Sequence, residues 1–339
     1  MRRVQRGGLG ALFALVGAIV ILVAAGGVTL LYGHIELEAV GAGTPLLVTV
    51  KGGESLEQLS DSLQSQGLIK SAFFFSAYAR LRGVHLRAGE YQLDSGMAAS
   101  EMINVLEAPP FCPGVTFVIP EGFTVNQIAS RVAATKGLGI TRQEYLDAVT
   151  AGGYDAPFLA IRPAGDTSLE GFLFPATYTV PDCASAHQVV QQQLDAFAAN
   201  VVPLLPQSAP QAYADLISAS LVEAEALPPD YATVASVIDN RLAIDMRLQI
   251  DSSVMYGLQE SGAAMSPADE ATDTPYNTYI NPGLPPTPID NPGTAAVKGV
   301  LAPASTAYLF YVTDPCGVAH FSVTEAQHEQ QVSQYGNSC

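Results

Sequence analysis

The sequence predicts an α+β fold tethered by one N-terminal helix, and three observations predict it. An uncharged apolar run opens the chain, two strand-like segments of five residues each lead into a hydroxyl-capped helix, and proline-bounded helical stretches follow from about residue 185. At 339 residues the chain exceeds one average domain, so two or three compact units are expected, with enough core to fold without a disulfide framework. A composition of 48% hydrophobic and 14% charged residues with a net charge of -17 argues against wholesale disorder. It also excludes a basic phosphate-tracking surface, so no nucleic-acid partner is expected.

Arg2, Arg3 and Arg6 precede an uncharged run from Gly7 through Gly33, and the first acid is Glu36. Such a run is long enough to cross a bilayer. Cytoplasmic flanks are positive, so residues 1–7 are expected inside, 8–33 as a transmembrane helix, and everything beyond outside a plasma membrane crossed once. The alternative is a cleaved signal peptide, with Ala24, Ala25, Gly26 and Gly27 as small residues near its end; the apolar stretch is long for that purpose. Cys112, Cys183, Cys316 and Cys339 show no C-x-x-C spacing, so no metal is expected. Outside the membrane they allow two disulfides, and Cys316 with Cys339 is the expected pair.

The elements follow in order. Leu46 to Val50 reads as a strand, and Ser55 with Gln58 has the spacing of a capping box, so a helix starts there. Gly67 is placed to end it and Ser71 to start a second helix through Phe73, Phe74, Tyr78 and Leu81. Ala88 to Leu93 reads as a strand pairing within the same region, which closes a first module over 46–110. The pattern returns over 114–160: a strand from Val115 to Ile119, a helix capped by Thr124 with Gln127, a stop at Gly137 and another cap at Thr141. This is a weak internal repeat, or a chance likeness between two strand-to-helix turns. Pro163 to Pro181 is an apolar segment interrupted by turn residues. A helix from about Ser185 to Asn200 follows, and Pro203, Pro206 and Pro210 break the chain before the next one.

That next helix, Gln211 to Leu227, lies between Pro210 and Pro228. Leu216, Ile217, Ser220, Ala224 and Leu227 mark an inward face, and Glu223 points into it. Glu225 is displaced by about 200° at about 100° per residue, so the two carboxylates should have different surroundings. A carboxyl on an apolar face keeps its proton more readily, the property a general acid needs. The competing reading is a buried acid paired with Arg241, which lies in the apolar stripe of Val234, Val237, Ile238 and Leu242 on the following helix. No G-x-S-x-G elbow and no phosphate-binding glycine loop are present, so serine-hydrolase and nucleotide chemistry are not expected, and no cofactor is implied.

The first module resembles a LysM-type fold, which implies either binding to N-acetylglucosamine-containing polymers or a spacer that packs without binding. A more extensive resemblance runs through Ala219-Ser220-Leu221-Val222-Glu223-Ala224-Glu225, Asn240-Arg241-Leu242 and Met246 to Asp251 with Tyr256-Gly257. It continues through Tyr276-Asn277-Thr278-Tyr279, Gly283-Leu284-Pro285-Pro286, Pro288-Ile289, Asn291-Pro292-Gly293, Tyr308 to Val312 and His320-Phe321-Ser322. Upstream, Pro120-Glu121-Gly122 and Leu169 to Pro175 fit the same pattern. Together these motifs resemble the endolytic murein transglycosylases (MltG/YceG-like), from the anchor to His328. The chain departs from that pattern at Ala176, where an acid is expected, and at Ala224, where lysine is commoner.

The resemblance implies a catalytic region over 114–339, with its core at 165–335, that cuts within peptidoglycan glycan strands. Glu223 takes the catalytic position, protonating the bond between N-acetylmuramic acid and N-acetylglucosamine and then serving as base toward the muramyl 6-hydroxyl. Gln249, Asn277, Tyr276, Asp251, Arg241 and Glu225 are the expected substrate-binding or site-supporting residues, though each could equally satisfy loop backbone. His320 is a candidate for the rim of the site. Peptidoglycan strands are the implied partner, together with membrane-bound peptidoglycan synthases. The rivals are a muramidase that adds water through the same glutamate and a membrane-tethered glycan-binding scaffold without activity.

Overall fold

The computed structural model describes residues 26–27, 31–43, 45–260 and 265–336. The expected membrane segment 8–33 falls largely outside the described residues, and no helix among the described residues is long and apolar enough to cross a membrane. The chain is a mixed α+β protein that divides into two units, Met1–Pro113 and Gly114–Cys339.

In the first unit, β1 (Leu46–Val50) pairs antiparallel with β2 (Gly89–Leu93), Val48 opposite Tyr91 and Leu46 opposite Leu93. Alternation sends Val48, Val50, Tyr91 and Leu93 into the core and turns Leu47 outward, while Leu46, at the start of the strand, is exposed although it shares the face of Val48. Between the strands lie α1 (Leu56–Ser65) and α2 (Ala72–Arg82). Ser55 accepts from the Gln58 backbone N–H while the Gln58 side chain accepts from the Ser55 N–H, so the capping box forms in both directions. Phe75 and Ala79 carry the inward face of α2, whereas Phe73 and Leu81 are exposed. A third helix, α3 (Ala99–Glu107), adds Met102, Ile103 and Leu106 to this core; the sequence reading left it out, because Ala98 offers no hydroxyl cap and only Glu101 reaches back to the Ala98 N–H at 2.9 Å.

The second unit begins with the same strand, helix, helix order: β3 (Gly114–Val118), α4 (Val125–Ala134) and α5 (Arg142–Ala151). Thr124 with Gln127, and Thr141 with Glu144, both form capping boxes. The closing strand β4 (Thr177–Pro181) pairs antiparallel with β3, Phe117 opposite Tyr178. It lies inside the segment expected to be turn-interrupted, where Thr177-Tyr178-Thr179-Val180 alternates outward and inward.

Beyond it run α6 (Ala186–Asn200), α7 (Ala209–Glu225), α8 (Tyr231–Ala243), α9 (Asp251–Gly257), α10 (Pro267–Glu270) and α11 (Thr294–Leu301). A hairpin of β5 (Phe310–Thr313) and β6 (Ala319–Ser322) and a last helix α12 (Glu325–Tyr335) complete it. α7 is the axis of this unit. Leu216, Ile217 and Ala219 pack into the core formed with β3, β4 and α4 to α6, while Leu221 and Val222 pack with Tyr231, Val234, Ile238, Leu248, Ile250 and Ile289. The helix is therefore buried almost all round, and its last turn emerges between two cores.

Cys112, Cys183 and Cys316 are each disulfide-bonded. Cys339, the expected partner of Cys316, lies outside the described residues.

Candidate active site

Glu223 stands on the last turn of α7, half-buried, one residue past the fully buried Val222. Its Oε1 accepts a 2.7 Å hydrogen bond from the Tyr231 hydroxyl, and its Oε2 accepts a 2.9 Å bond from the Gly293 backbone N–H. Gly293 is the N-cap of α11, so the carboxylate also faces the positive end of that helix. Tyr231 is raised above its ordinary range by burial, then by its bond to Glu223 and by the charges of Glu223, Glu121 and Asp290, so it remains a donor. The sequence alternative of an ion pair between Glu223 and Arg241 is not what the chain makes. The Arg241 guanidinium donates to the carbonyls of Leu309 (2.6 Å), Leu248 (2.6 Å) and Arg247 (3.2 Å), pinning the loop after α8 to β5.

Two more acids, Glu121 and Asp290, border Glu223, and a third, Glu170, acts on Asp290. A Cβ on Gly293 would run into the Glu121 carboxyl, so only glycine lets Glu121 lie against the start of α11. Glu121 is raised by desolvation and by the Glu223 charge. Gly122 adopts φ +72°, and a Cβ there would stand 3.4 Å from Glu223 Cγ and 3.8 Å from Asp290 Oδ2, so both acids border the same glycine. Asp290 is only 3% exposed and its Oδ1 has no hydrogen-bond partner. Burial, then the Glu170 and Glu223 charges, push it well above the usual carboxylate range.

Glu170 is also buried and is pushed up to about 8 by desolvation, against the lowering effect of its bonds from Val125 N–H, Tyr256 OH and the Asn291 amide. Asn291, fully buried, ties this floor together: its Oδ1 accepts from Gly171 N–H (3.0 Å) and Leu173 N–H (2.8 Å), and its Nδ2 donates to Phe123 O and Glu170 Oε1 (both 2.8 Å). The backbone agrees, because Gly122 N–H donates to Asn291 O and Asn291 N–H to Phe123 O. Three loops distant in sequence, 121–123, 169–173 and 289–293, are thereby held beneath the end of α7.

A cleft of about 810 Å³ opens one residue from Gly122, lined among others by Phe123, Gln127, Arg131, Tyr256, Gly257 and Tyr276. Tyr256 and Tyr276 meet edge to face at 4.9 Å, and Arg131 lies over the Phe123 ring at 5.6 Å. The cleft therefore offers aromatic rings and hydrogen-bonding side chains beside the acid cluster, the mixture a polar ring-shaped ligand needs.

Of the residues singled out from sequence, Glu223 and Tyr276 belong to this site. Tyr276 lines the cleft and its hydroxyl bonds Thr287 Oγ1 at 2.8 Å. Asn277 takes the loop-satisfying alternative: its side chain is fully buried, donating to Glu270 O and Thr272 O and accepting from Tyr279 N–H, so it folds the 270–281 loop. Arg241 is structural for the reason given. Glu225 does have surroundings unlike those of Glu223, accepting from Tyr311 OH at 2.8 Å and Ser252 N–H at 3.4 Å. Asp251 accepts from Tyr279 OH at 2.6 Å, and the exposed Gln249, at φ +50°, has its N–H on Thr278 O. Glu225, Gln249 and Asp251 thus form a second polar group around the α9 start. His320 is 3.0 Å from Asp314 and stacks on Tyr335, far along the hairpin. Sequence reasoning missed Tyr231, Glu121, Glu170, Asp290 and Asn291 as site residues. Their only sequence signal is the fragments Glu121-Gly122, Glu170-Gly171 and Asn291-Pro292-Gly293, which carry the resemblance but no period or spacing that assigns a role.

The YceG-like family model matches residues 48–334, nearly the whole of the described chain. The chain belongs to the YceG-like family. It is 29% identical over 321 residues to the endolytic murein transglycosylase of Streptococcus pneumoniae serotype 2 strain D39, covering 86% of this chain. The chain spans 58% of the length of that relative. It is 28% identical over 331 residues to the endolytic murein transglycosylase of Bacillus subtilis strain 168, covering 91% of this chain and 90% of that one. The crystal structure of a yceG-like protein from Listeria monocytogenes superposes with a TM-score of 0.57 at 31% identity, over 85% of this chain and 99% of the other.

Proposed function

We propose that this protein is a lytic transglycosylase that cleaves peptidoglycan glycan strands internally, between N-acetylmuramic acid and N-acetylglucosamine. The observation that carries the reading is Glu223: a half-buried carboxyl fixed from two sides by Tyr231 and Gly293 and packed beside Gly122, whose chain neighbour Phe123 lines an open cleft. Glu223 gives its proton to the bridging oxygen as the bond from the muramyl C1 breaks, and the bonding pair leaves with that oxygen as a hydroxyl. The muramyl 6-hydroxyl then bonds to C1 and its proton returns to Glu223, now the base. The product is a 1,6-anhydromuramyl end, no water is consumed, and one carboxyl serves both steps. A two-carboxylate hydrolysis needs an ionised second acid with room for a water. Asp290 is buried and held toward its protonated form, which favours the single-carboxylate route.

The relatives' names support the substrate class. In this reading residues 8–33 anchor the chain in the plasma membrane with the remainder outside, the LysM-like unit at 46–110 lies along the glycan, and the enzyme limits the length of strands beside their synthases. The test is digestion of peptidoglycan by the wild-type protein and by Glu223→Gln, with products weighed by mass spectrometry. The expected outcome is wild-type fragments whose ends are one water lighter than reducing ends, and none from the variant. Reducing ends would establish a muramidase instead, and equal cleavage by both proteins would remove Glu223 from the mechanism.

A further inference from the structure

The first unit carries a surface that the cleavage reaction does not use. Phe73 and Leu81, 73% and 87% exposed, are the two most exposed large apolar side chains among the described residues, and both stand on α2. With Ala77 between them they follow the i, i+4, i+8 spacing, so they share one face over about 12 Å of helix. Charge indicates what this face meets. From Ser62 through Gly89 the chain holds no acid, yet it holds Lys70, Arg80, Arg82 and Arg87, in a protein whose net charge is -17. Arg80 is paired with Glu57 of α1, and the Arg82 guanidinium donates to Tyr78 OH at 3.3 Å. Long basic side chains beside exposed apolar ones are the make-up of a helix lying in a lipid headgroup layer, with its apolar face down and its cations among phosphates.

The uncharged run from Gly7 through Gly33 ends at the same place. Tyr32 meets Phe74 edge to face at 6.0 Å, and Phe74 meets Phe73 at 5.3 Å, so three aromatic rings join the end of the run to the start of α2. The junction is bound to the unit rather than hung from it. Lys70 Nζ donates to Ile35 O at 3.0 Å, Ala99 N–H to Leu37 O at 2.9 Å and Val40 N–H to Ser95 O at 2.9 Å, while Leu37 packs against the core. Phe73 therefore shares the depth that the end of the run takes, and aromatic rings at that level are typical of a membrane–water interface.

We infer that α2 is a membrane-docking surface that lies flat on an anionic bilayer, with Phe73 and Leu81 in the headgroup layer and Lys70, Arg82 and Arg87 toward the lipid phosphates. This rests on the proposed anchoring by residues 8–33 and deepens it, because a tether alone leaves the orientation of the first unit free. Glu36 and Glu38, just past the run, and Glu57, paired with Arg80, oppose the attraction, and the four bases outnumber them. Lys70 lies 37 positions past Gly33, outside the flank whose charge sets the direction of insertion, so a basic surface there does not conflict with an outward-facing unit. A seated first unit keeps the chain at the membrane surface, where strands still close to the bilayer are within its reach.

The test uses the full chain, which contains no tryptophan, so Phe73→Trp and Leu81→Trp each introduce a single reporter at an exposed position that leaves the core untouched. Each variant is reconstituted into vesicles of phosphatidylglycerol and phosphatidylcholine, with and without bromine on the upper acyl chains, and the indole emission is read. An interfacial helix places its apolar face about 5–10 Å into the headgroup boundary, so both variants are expected to lose about half of their emission in the brominated vesicles. Loss in Phe73→Trp alone means that the helix stands up from the anchor, and overturns the inference. Full emission from both variants, in chains that float with the vesicles, overturns the seating and leaves the anchor in place. Emission shielded from aqueous acrylamide but untouched by bromine assigns the face to a second copy of the chain or to glycan, and also overturns it. If the chains do not float with the vesicles, the anchor falls and the seating with it. Exchanging phosphatidylglycerol for phosphatidylcholine throughout is expected to weaken the quenching of Leu81→Trp about twofold, and equal quenching overturns the assignment of the bases to lipid phosphate.

Discussion

Truncating Asn291 to alanine should be among the most damaging single changes in the second unit, and its size can be worked out from its partners. Four hydrogen bonds are lost, but their consequences differ. Phe123 O keeps the Asn291 backbone N–H at 3.1 Å, and Glu170 keeps Val125 N–H at 2.9 Å, so neither acceptor is orphaned. Gly171 N–H and Leu173 N–H have no second acceptor among the described residues, and both lie in buried positions. An orphaned buried donor costs about 1–3 kcal/mol, so two of them together with the small void should cost about 3–5 kcal/mol. For a unit of this size each kcal/mol moves the melting temperature by about 2–4 °C, which places the expected fall near 10 °C. Asn281→Ala is the matched control: its amide donates to Thr274 O and Asn277 O, but the residue is only half-buried and water can replace it, so about 1 kcal/mol is expected. Both variants and wild type are compared by calorimetry at one pH. A loss below about 1 kcal/mol for Asn291→Ala, or equal losses for the two, would show that the three loops do not depend on this amide.

Two further outcomes follow from the acids. Tyr231→Phe removes the 2.7 Å donor to Glu223. That bond holds one oxygen of the carboxyl in place, so its loss should lower the rate of strand cleavage about tenfold while circular dichroism shows the fold kept; an unchanged rate refutes the assigned role of the hydroxyl. Glu170, at about 8 in the fold against 4.5 when unfolded, holds a proton in the folded chain that the unfolded chain has released. Its contribution to stability is neutral below 4.5, declines as pH rises toward 8, and is fully unfavourable above it. Urea midpoints should therefore fall between pH 5 and 8 more steeply for wild type than for Glu170→Gln, and parallel lines would contradict a buried, proton-holding Glu170.

What the sequence made legible is what local chemistry decides. Ser55 with Gln58 and Thr124 with Gln127 announce helix starts because a hydroxyl three residues before an amide closes on the backbone whatever the rest of the chain does. Glu223 was legible because the resemblance fell on it; the inward stripe expected of α7 is not a stripe, since residues 216–222 are all buried while Ala224 and Leu227 are exposed. The rest of the site was not, because it is made by loops. Nothing about Ile289-Asp290-Asn291 has a period, and Asp290 lies 67 positions after Glu223 along the chain. Asn277 and Asn291 look alike in sequence, each in a turn-rich stretch. One folds its own loop, and the other joins loops more than a hundred residues apart. Only the tertiary path distinguishes them.

That path also decides which acids burial raises, namely Asp290 and Glu170. The end of α7 is where the helix leaves both cores, so Glu223 keeps contact with solvent and with two donors, as a group that must exchange protons with a substrate requires. The low-dielectric surroundings fall instead on Asp290 and Glu170, one loop further in, which hold protons but have no route to a ligand. In the proposed reaction the half-buried Glu223 is the carboxyl that meets the glycosidic oxygen, and the buried Asp290 and Glu170 stand behind it in the floor of the site. The fold reaches this arrangement by ending its central helix two residues past Glu223 and laying the 289–293 loop across that end.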